Sequence, residues 1–268
     1  MSYEHLLVER EPGSHITTIT LNRPERLNAI NRPTMAEILA VCREIQDDDD
    51  TWVAIWTGAG RGFCSGADVG GGPPPETGSD TPLNELLDEE SWISRQGKAL
   101  YAVDKPMIGA VNGVAAGAGF SLALCCDMRV GTPNSRFVTV YQERSLPPEG
   151  GMSFLLSRIV GLSRAMDLAL TSRRVDAEEA YRIGLLDRLV PEEELLPASR
   201  AIAERICELP PAAIRVSKRA IRRGLEASFE EAARNETSYG GIARRAREDA
   251  AESRTAFLEK RKPTYRGR

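Results

Sequence analysis

Val111-Asn112-Gly113-Val114-Ala115-Ala116-Gly117-Ala118-Gly119-Phe120 is the stretch from which the rest of this chain is read. An apolar strand, Met107 to Val111, runs into a loop of Gly and Ala. The loop opens into an apolar, helix-like segment from Phe120 to Cys126. Such a junction leaves backbone N–H groups free at the positive end of a helix dipole. Side chains this small let another molecule approach those amides closely. The junction suits an oxyanion, a phosphate, or a carbonyl that becomes anionic during reaction. Tight strand–helix packing with no ligand is the competing reading.

A second junction has the same character. Trp52-Val53-Ala54-Ile55-Trp56-Thr57 reads as a buried strand. It stops at Gly58-Ala59-Gly60 and is followed by Arg61-Gly62-Phe63-Cys64-Ser65-Gly66-Ala67-Asp68. Two N–H groups aimed at one developing negative charge form an oxyanion hole, where each donor is worth about 2.7–4 kcal/mol to the transition state. The sequence supplies two such loops without showing that they converge.

Several blocks now carry a resemblance. They are Asn22-Arg23-Pro24 with Leu27-Asn28-Ala29, Thr57-Gly58-Ala59-Gly60, Phe63-Cys64-Ser65-Gly66-Ala67-Asp68, Lys105-Pro106 before Ala110-Val111-Asn112-Gly113, and Cys126-Asp127. Further on come Ser157-Arg158-Ile159-Val160-Gly161, Ala177-Glu178-Glu179-Ala180-Tyr181-Arg182-Ile183-Gly184-Leu185 and Phe257-Leu258-Glu259-Lys260-Arg261. In order and spacing the set resembles the crotonase (enoyl-CoA hydratase/isomerase) family over nearly the whole chain. The resemblance implies an α/β fold, a spiral of ββα units with a C-terminal helical trimerisation region. It implies an acyl-CoA thioester substrate, an enolate-like intermediate, and oxyanion-hole amides on Ala67 and Ala118. Ser65, Gly66, Asp68, Gly117, Ser121 and Tyr141 are the matching substrate contacts. Lys260 would approach the CoA of a neighbouring subunit in a homotrimer or dimer of trimers.

Size and composition fit that expectation. The chain has 268 residues, 41% hydrophobic and 28% charged, enough for a sizeable core. A net charge of −4 gives no support to nucleic-acid binding. No apolar run reaches the ~20 residues of a bilayer span. Met1-Ser2-Tyr3-Glu4-His5 lacks the basic and apolar regions of a secretory signal, so a cytoplasmic location is expected. The five cysteines, Cys42, Cys64, Cys125, Cys126 and Cys207, read as reduced, buried thiols. The two histidines, His5 and His15, both lie near the N-terminus, which argues against a His-based triad and a His-rich metal site. No metal or resident cofactor is expected, since CoA arrives as part of the substrate.

Periodicity predicts a strand over Ile16 to Leu21, with His15 at the turn before it. It predicts helices over Pro33 to Ile45 and Phe120 to Cys126, and strands at Pro106 to Val111 and Met128 to Val130. Residues 69–82, rich in Gly and Pro, predict an irregular segment, either a lid over the acyl chain or a plain surface loop. Asp176-Ala177-Glu178-Glu179 is a capping box. Leu189-Val190 reads as a short strand. Helices are expected near residues 193–208, 212–224, 229–250 and 251–261. The organisation expected is a core over 1–195, carrying the site, and a helical oligomerisation region over 196–268. Arg215, Lys218, Arg219, Arg222 and Arg223 share one helical face, read either as a solvated face or as an attraction for CoA phosphates.

The acid–base residues separate the possible activities. Family hydratases commonly use two carboxylates, and the matching positions here hold Ser121 and Tyr141. Neither is a good base near neutral pH without a partner. Leu146-Pro147-Pro148-Glu149-Gly150-Gly151 offers another carboxylate, and the family's 3,2-enoyl-CoA isomerases place one at the position of Glu149. A helix-entry role is the structural alternative for this glutamate. Isomerisation with Glu149 as acid and base is therefore expected. A hydratase with an atypical base arrangement and a non-catalytic acyl-CoA-binding protein are the alternatives. A dehalogenase or hydrolase is disfavoured, because no histidine lies beyond His15.

Overall fold

The computed structural model describes residues 3–68, 70 and 90–268. Apart from Gly70, the segment read as a lid or loop lies outside the described residues.

The chain opens with an antiparallel pair, β1 (Leu6–Arg10) and β2 (Ile16–Leu21). Helix α1 (Arg32–Asp47) follows, capped by the Asn31 side chain, which accepts from Thr34 N at 2.8 Å. Next come β3 (Val53–Gly58) and β4 (Gly62–Cys64), then α2 (Trp92–Ala102). The pattern repeats with β5 (Met107–Val111), β6 (Val114–Ala116) and α3 (Ala118–Cys125). It repeats again with β7 (Met128–Gly131), β8 (Arg136–Val138), α4 (Met152–Val160) and α5 (Leu162–Thr171).

β1 and β2 lie in the same sheet, whereas in each of the pairs β3–β4, β5–β6 and β7–β8 the first strand joins one sheet and the second another. The larger sheet has the order β1-β2-β3-β5-β7-β10, where β10 is Arg188–Leu189. The smaller has the order β4-β6-β8-β9, where β9 is Val175–Asp176. In the larger sheet pairing is parallel from β2 to β10, as crossover connections require, while β8 and β9 of the smaller sheet pair antiparallel. The spiral of ββα units expected from the sequence is thus the observed architecture.

All six residues of β3 are buried, because both faces of the larger sheet are covered. Ala54 and Trp56 face a core shared with α1, α2 and α3. Val53 and Ile55 face a second core, closed by Leu195, Ile202 and Ala203 of α7 (Leu195–Cys207). Between β9 and β10 lies α6 (Ala177–Arg182), capped by Asp176, which accepts from Glu179 N at 2.8 Å. Beyond α7 come α8 (Pro211–Gly224), α9 (Phe229–Ala243) and α10 (Arg247–Glu259).

Four expectations are corrected. The first strand is β1, so His15 sits between two strands; its φ of 60° turns the chain and its ring stacks on Trp52 at 3.8 Å. Val114–Ala116, read as loop, is a strand, because its backbone pairs with both β4 and β8. The break between the last two helices falls at residues 244–246 rather than at 250. Most of the basic face of α8 is committed within the protein rather than simply solvated, although Arg223 is exposed. Lys218 and Arg222 pair with Asp127 at 2.7 and 2.8 Å, Arg219 pairs with Asp104, and Arg222 also donates to the Cys125 carbonyl at the end of α3.

Candidate active site

The two glycine-rich junctions meet. Each is tied down by an asparagine from the motifs quoted above. Asn28 Nδ2 donates to the carbonyls of Ala59 and Gly62 at 2.9 and 2.7 Å, and its Oδ1 accepts from Arg23 N at 2.9 Å. Asn112 Nδ2 donates to the carbonyls of Gly58 and Gly60 at 2.9 and 2.8 Å. These side-chain amides satisfy backbone oxygens at the turn between β3 and β4, which keeps a sharply turning loop in one shape.

Ala67, the first expected donor, is placed by a single β-bridge. Ile30 N donates to the Gly66 carbonyl at 2.8 Å, and Asp68 N donates to the Ile30 carbonyl at 2.9 Å. This parallel bridge uses the neighbours of Ala67 and turns the Ala67 N–H away from Ile30. The second expected donor, Ala118 N–H, belongs to the first residue of α3, where helical amides have no intrahelical acceptor. Gly66 lets the loops touch. Its φ is +100°, and a Cβ there would stand 2.8 Å from the Ala116 carbonyl and 3.6 Å from Ala118 N.

Ala67 and Ala118 line one cavity of about 480 Å³, shared with Ser65, Asp68, Gly117 and Tyr141. Sequence reasoning missed Arg26, Ala29, Ile93, Val140, Arg144 and Leu146, which complete much of its wall. Arg26 and Arg144 are exposed cations at that wall. Their charge was the one available signal, and it carries little weight without the fold. Asp68 braces the Ala67 loop through Arg23 at 2.9 Å. The bond from Arg23, then that from the Gly70 amide, hold its carboxyl below the usual range, so it is an anion with its lone pairs engaged.

The remaining sequence-derived residues are placed differently. Ser121 is 1% exposed and does not reach the cavity wall. Its Oγ donates to the Glu149 carbonyl at 2.8 Å and lies 3.2 Å from the Tyr141 hydroxyl. Glu149 is half-buried in the turn before α4 and is not part of that wall, yet its charge is felt at Tyr141. The next two residues, Gly150 and Gly151, line a second, apolar cavity of about 300 Å³ with Tyr101, Phe154 and Leu155. Lys260 is exposed at the end of α10 and lies outside both cavities of its own chain.

Burial pushes the Cys64 and Cys125 thiols up to about 12, so neither is a nucleophile near neutral pH. Among the described residues no three His, Cys, Asp or Glu side chains converge as metal ligands would. No described helix is long and apolar enough to cross a membrane.

Residues 11–268 match the family model for enoyl-CoA hydratase/isomerase. The chain is 37% identical to a Mycobacterium tuberculosis protein named probable enoyl-CoA hydratase echA8, over 99% of both. It is 34% identical to the 1,2-epoxyphenylacetyl-CoA isomerase of Escherichia coli, again over 99% of both. The crystal structure of an enoyl-CoA hydratase from Bacillus anthracis superposes with a TM-score of 0.88 at 29% identity, covering 99% of this chain and 100% of that one. The chain is therefore an enzyme of the enoyl-CoA hydratase/isomerase family, with the crotonase fold.

Proposed function

We propose that this enzyme isomerises a 3-enoyl-CoA thioester to the 2-enoyl form, with Glu149 as acid and base. One observation carries the reading. The positions matching the two hydratase carboxylates hold Ser121 and Tyr141, whose hydroxyls lie 3.2 Å apart, and Ser121 binds the backbone carbonyl of Glu149, the carboxylate residue of the turn before α4. A relative at 34% identity is named 1,2-epoxyphenylacetyl-CoA isomerase, so isomerisation of a CoA thioester occurs among proteins similar to this chain.

In this reading the Glu149 carboxylate removes a proton from C2, and the C2–H electron pair enters the C1–C2 bond. The charge moves onto the thioester oxygen, where the N–H groups of Ala67 and Ala118 stabilise it. The protonated Glu149 returns its proton to C4, and the double bond settles between C2 and C3. No atom is gained or lost, and no resident cofactor takes part. Arg26 and Arg144 supply positive charge at the wall for the CoA phosphates.

The assembly proposed is a homotrimer or dimer of trimers in the cytoplasm, with Lys260 serving a neighbour's CoA. The exposed row Leu162, Met166 and Leu170 on α5 suits burial between subunits. Optical assays test the activity. A 3-enoyl-CoA should show rising absorbance as conjugation with the thioester forms. Falling absorbance of a 2-enoyl-CoA without that rise would favour a hydratase. CoA affinity with neither change would favour a binding protein.

A further inference from the structure

We propose that Ser121 and Tyr141 are positioning residues: their hydroxyls form a relay that holds the backbone carbonyl of Glu149 and so aims its carboxylate. The inference rests on Glu149 being the acid–base group. It replaces the substrate contact that the sequence suggested for Ser121, which lies off the cavity wall, and adds a second role for Tyr141, which lines it.

The proton count fixes the direction of the relay. Each hydroxyl has one proton to give. Ser121 donates to the Glu149 carbonyl at 2.8 Å, so across the 3.2 Å contact it accepts from Tyr141. The direct Tyr141–Glu149 carbonyl distance, 3.5 Å, is too long to compete. Burial pushes the Tyr141 phenol well above its usual range and Glu149's charge adds to that, against the opposing Ser121 bond, so the phenol remains a donor. Ser121 and Tyr141 are only 1% and 4% exposed, which shields both bonds from water.

The turn needs such a hold. Glu149 lies outside any helix or strand, followed by Gly150 and Gly151 at φ +66° and +81°. Its carbonyl otherwise accepts only the longer bond from Met152 N, at 3.3 Å, among the described backbone bonds. Gly150 makes the contact possible, since a Cβ there would stand 3.0 Å from the Ser121 Cβ. Buried hydroxyls thus occupy two carboxylate positions and steady a third carboxylate, on the turn before α4.

Glu149-Gly150 is the only Glu–Gly peptide in the chain, so carbonyl-¹³C glutamate with ¹⁵N glycine yields one NMR cross-peak for this bond. In Ser121→Ala and in Tyr141→Phe, which keeps the buried ring, the carbonyl signal should move upfield. The kcat for 3-enoyl-CoA should fall about tenfold, the equivalent of one net hydrogen bond, while KM stays within about twofold. The double variant should lose about as much as either single one, because all three remove the same hold. An unmoved carbonyl signal in both single variants overturns the relay. A raised KM at unchanged kcat overturns it in favour of a substrate contact. A parent enzyme without isomerase turnover would instead overturn the role of Glu149, and the cross-peak still decides whether the hydroxyls hold the turn.

Discussion

The basic face of α8 and the paired glycine junctions make opposite use of polarity. The face carries Lys218, Arg219 and Arg222, and these charges are spent inside the protein on Asp127, Asp104 and the ends of α2 and α3. The junctions carry no charge on their two key residues, Ala67 and Ala118, yet they face an open cavity. A buried cation must be matched by an anion or a carbonyl, so a charge-rich face is often committed before any ligand arrives. Backbone amides can be left without a protein acceptor at a helix start at little cost, provided the site stays accessible. In this fold, uncharged backbone amides, rather than the charge-rich face of α8, are the groups left facing the cavity.

That contrast can be broken at either end. The largest effect is expected at the junction. Pro fits the first position of a helix but has no N–H, so Ala118→Pro should keep the fold while removing one donor. Steady-state assays should show kcat reduced about 10²–10³-fold, with little change in melting temperature. An unchanged kcat would remove Ala118 from the oxyanion hole.

At the basic face the effect should be on stability. Asp127 accepts from Lys218, Arg222 and Met107 N at 2.7–2.8 Å. Asp127→Asn leaves Lys218 buried beside a neutral amide. Denaturant unfolding should show a loss of about 3 kcal/mol, with kcat per folded molecule close to the parent's. A large loss of kcat at full folding would mean that this face serves the substrate after all.

The fold was legible from the chain wherever local pattern and burial agree. Met107–Val111 and Val53–Gly58 are continuous apolar runs because their sheet is covered on both faces, and both were read as strands. Val114–Ala116 was missed because a three-residue strand amid Gly and Ala has no period of its own, and only its partners define it. The internal ion pairs of the basic face were missed for a related reason. The partners, Asp104 and Asp127, lie about a hundred residues away in sequence, and no periodicity within α8 reveals them. For the site, the two donor loops could be named, and the structure brings them to one cavity. Arg26, Ile93 and Leu146 could not be named, since they reach that wall from three unconnected segments. The binding of Ser121 to the Glu149 carbonyl was likewise beyond the sequence, because it depends on how one turn lies against one helix.

The central claim is that a single carboxylate moves the proton while two amides hold the charge. Glu149→Gln keeps the shape of the side chain and removes its basicity, so 3-enoyl-CoA turnover by this variant is the most direct test. The account predicts a fall in kcat of about 10²–10⁴-fold with CoA-thioester binding nearly intact. Turnover at the parent rate would contradict it.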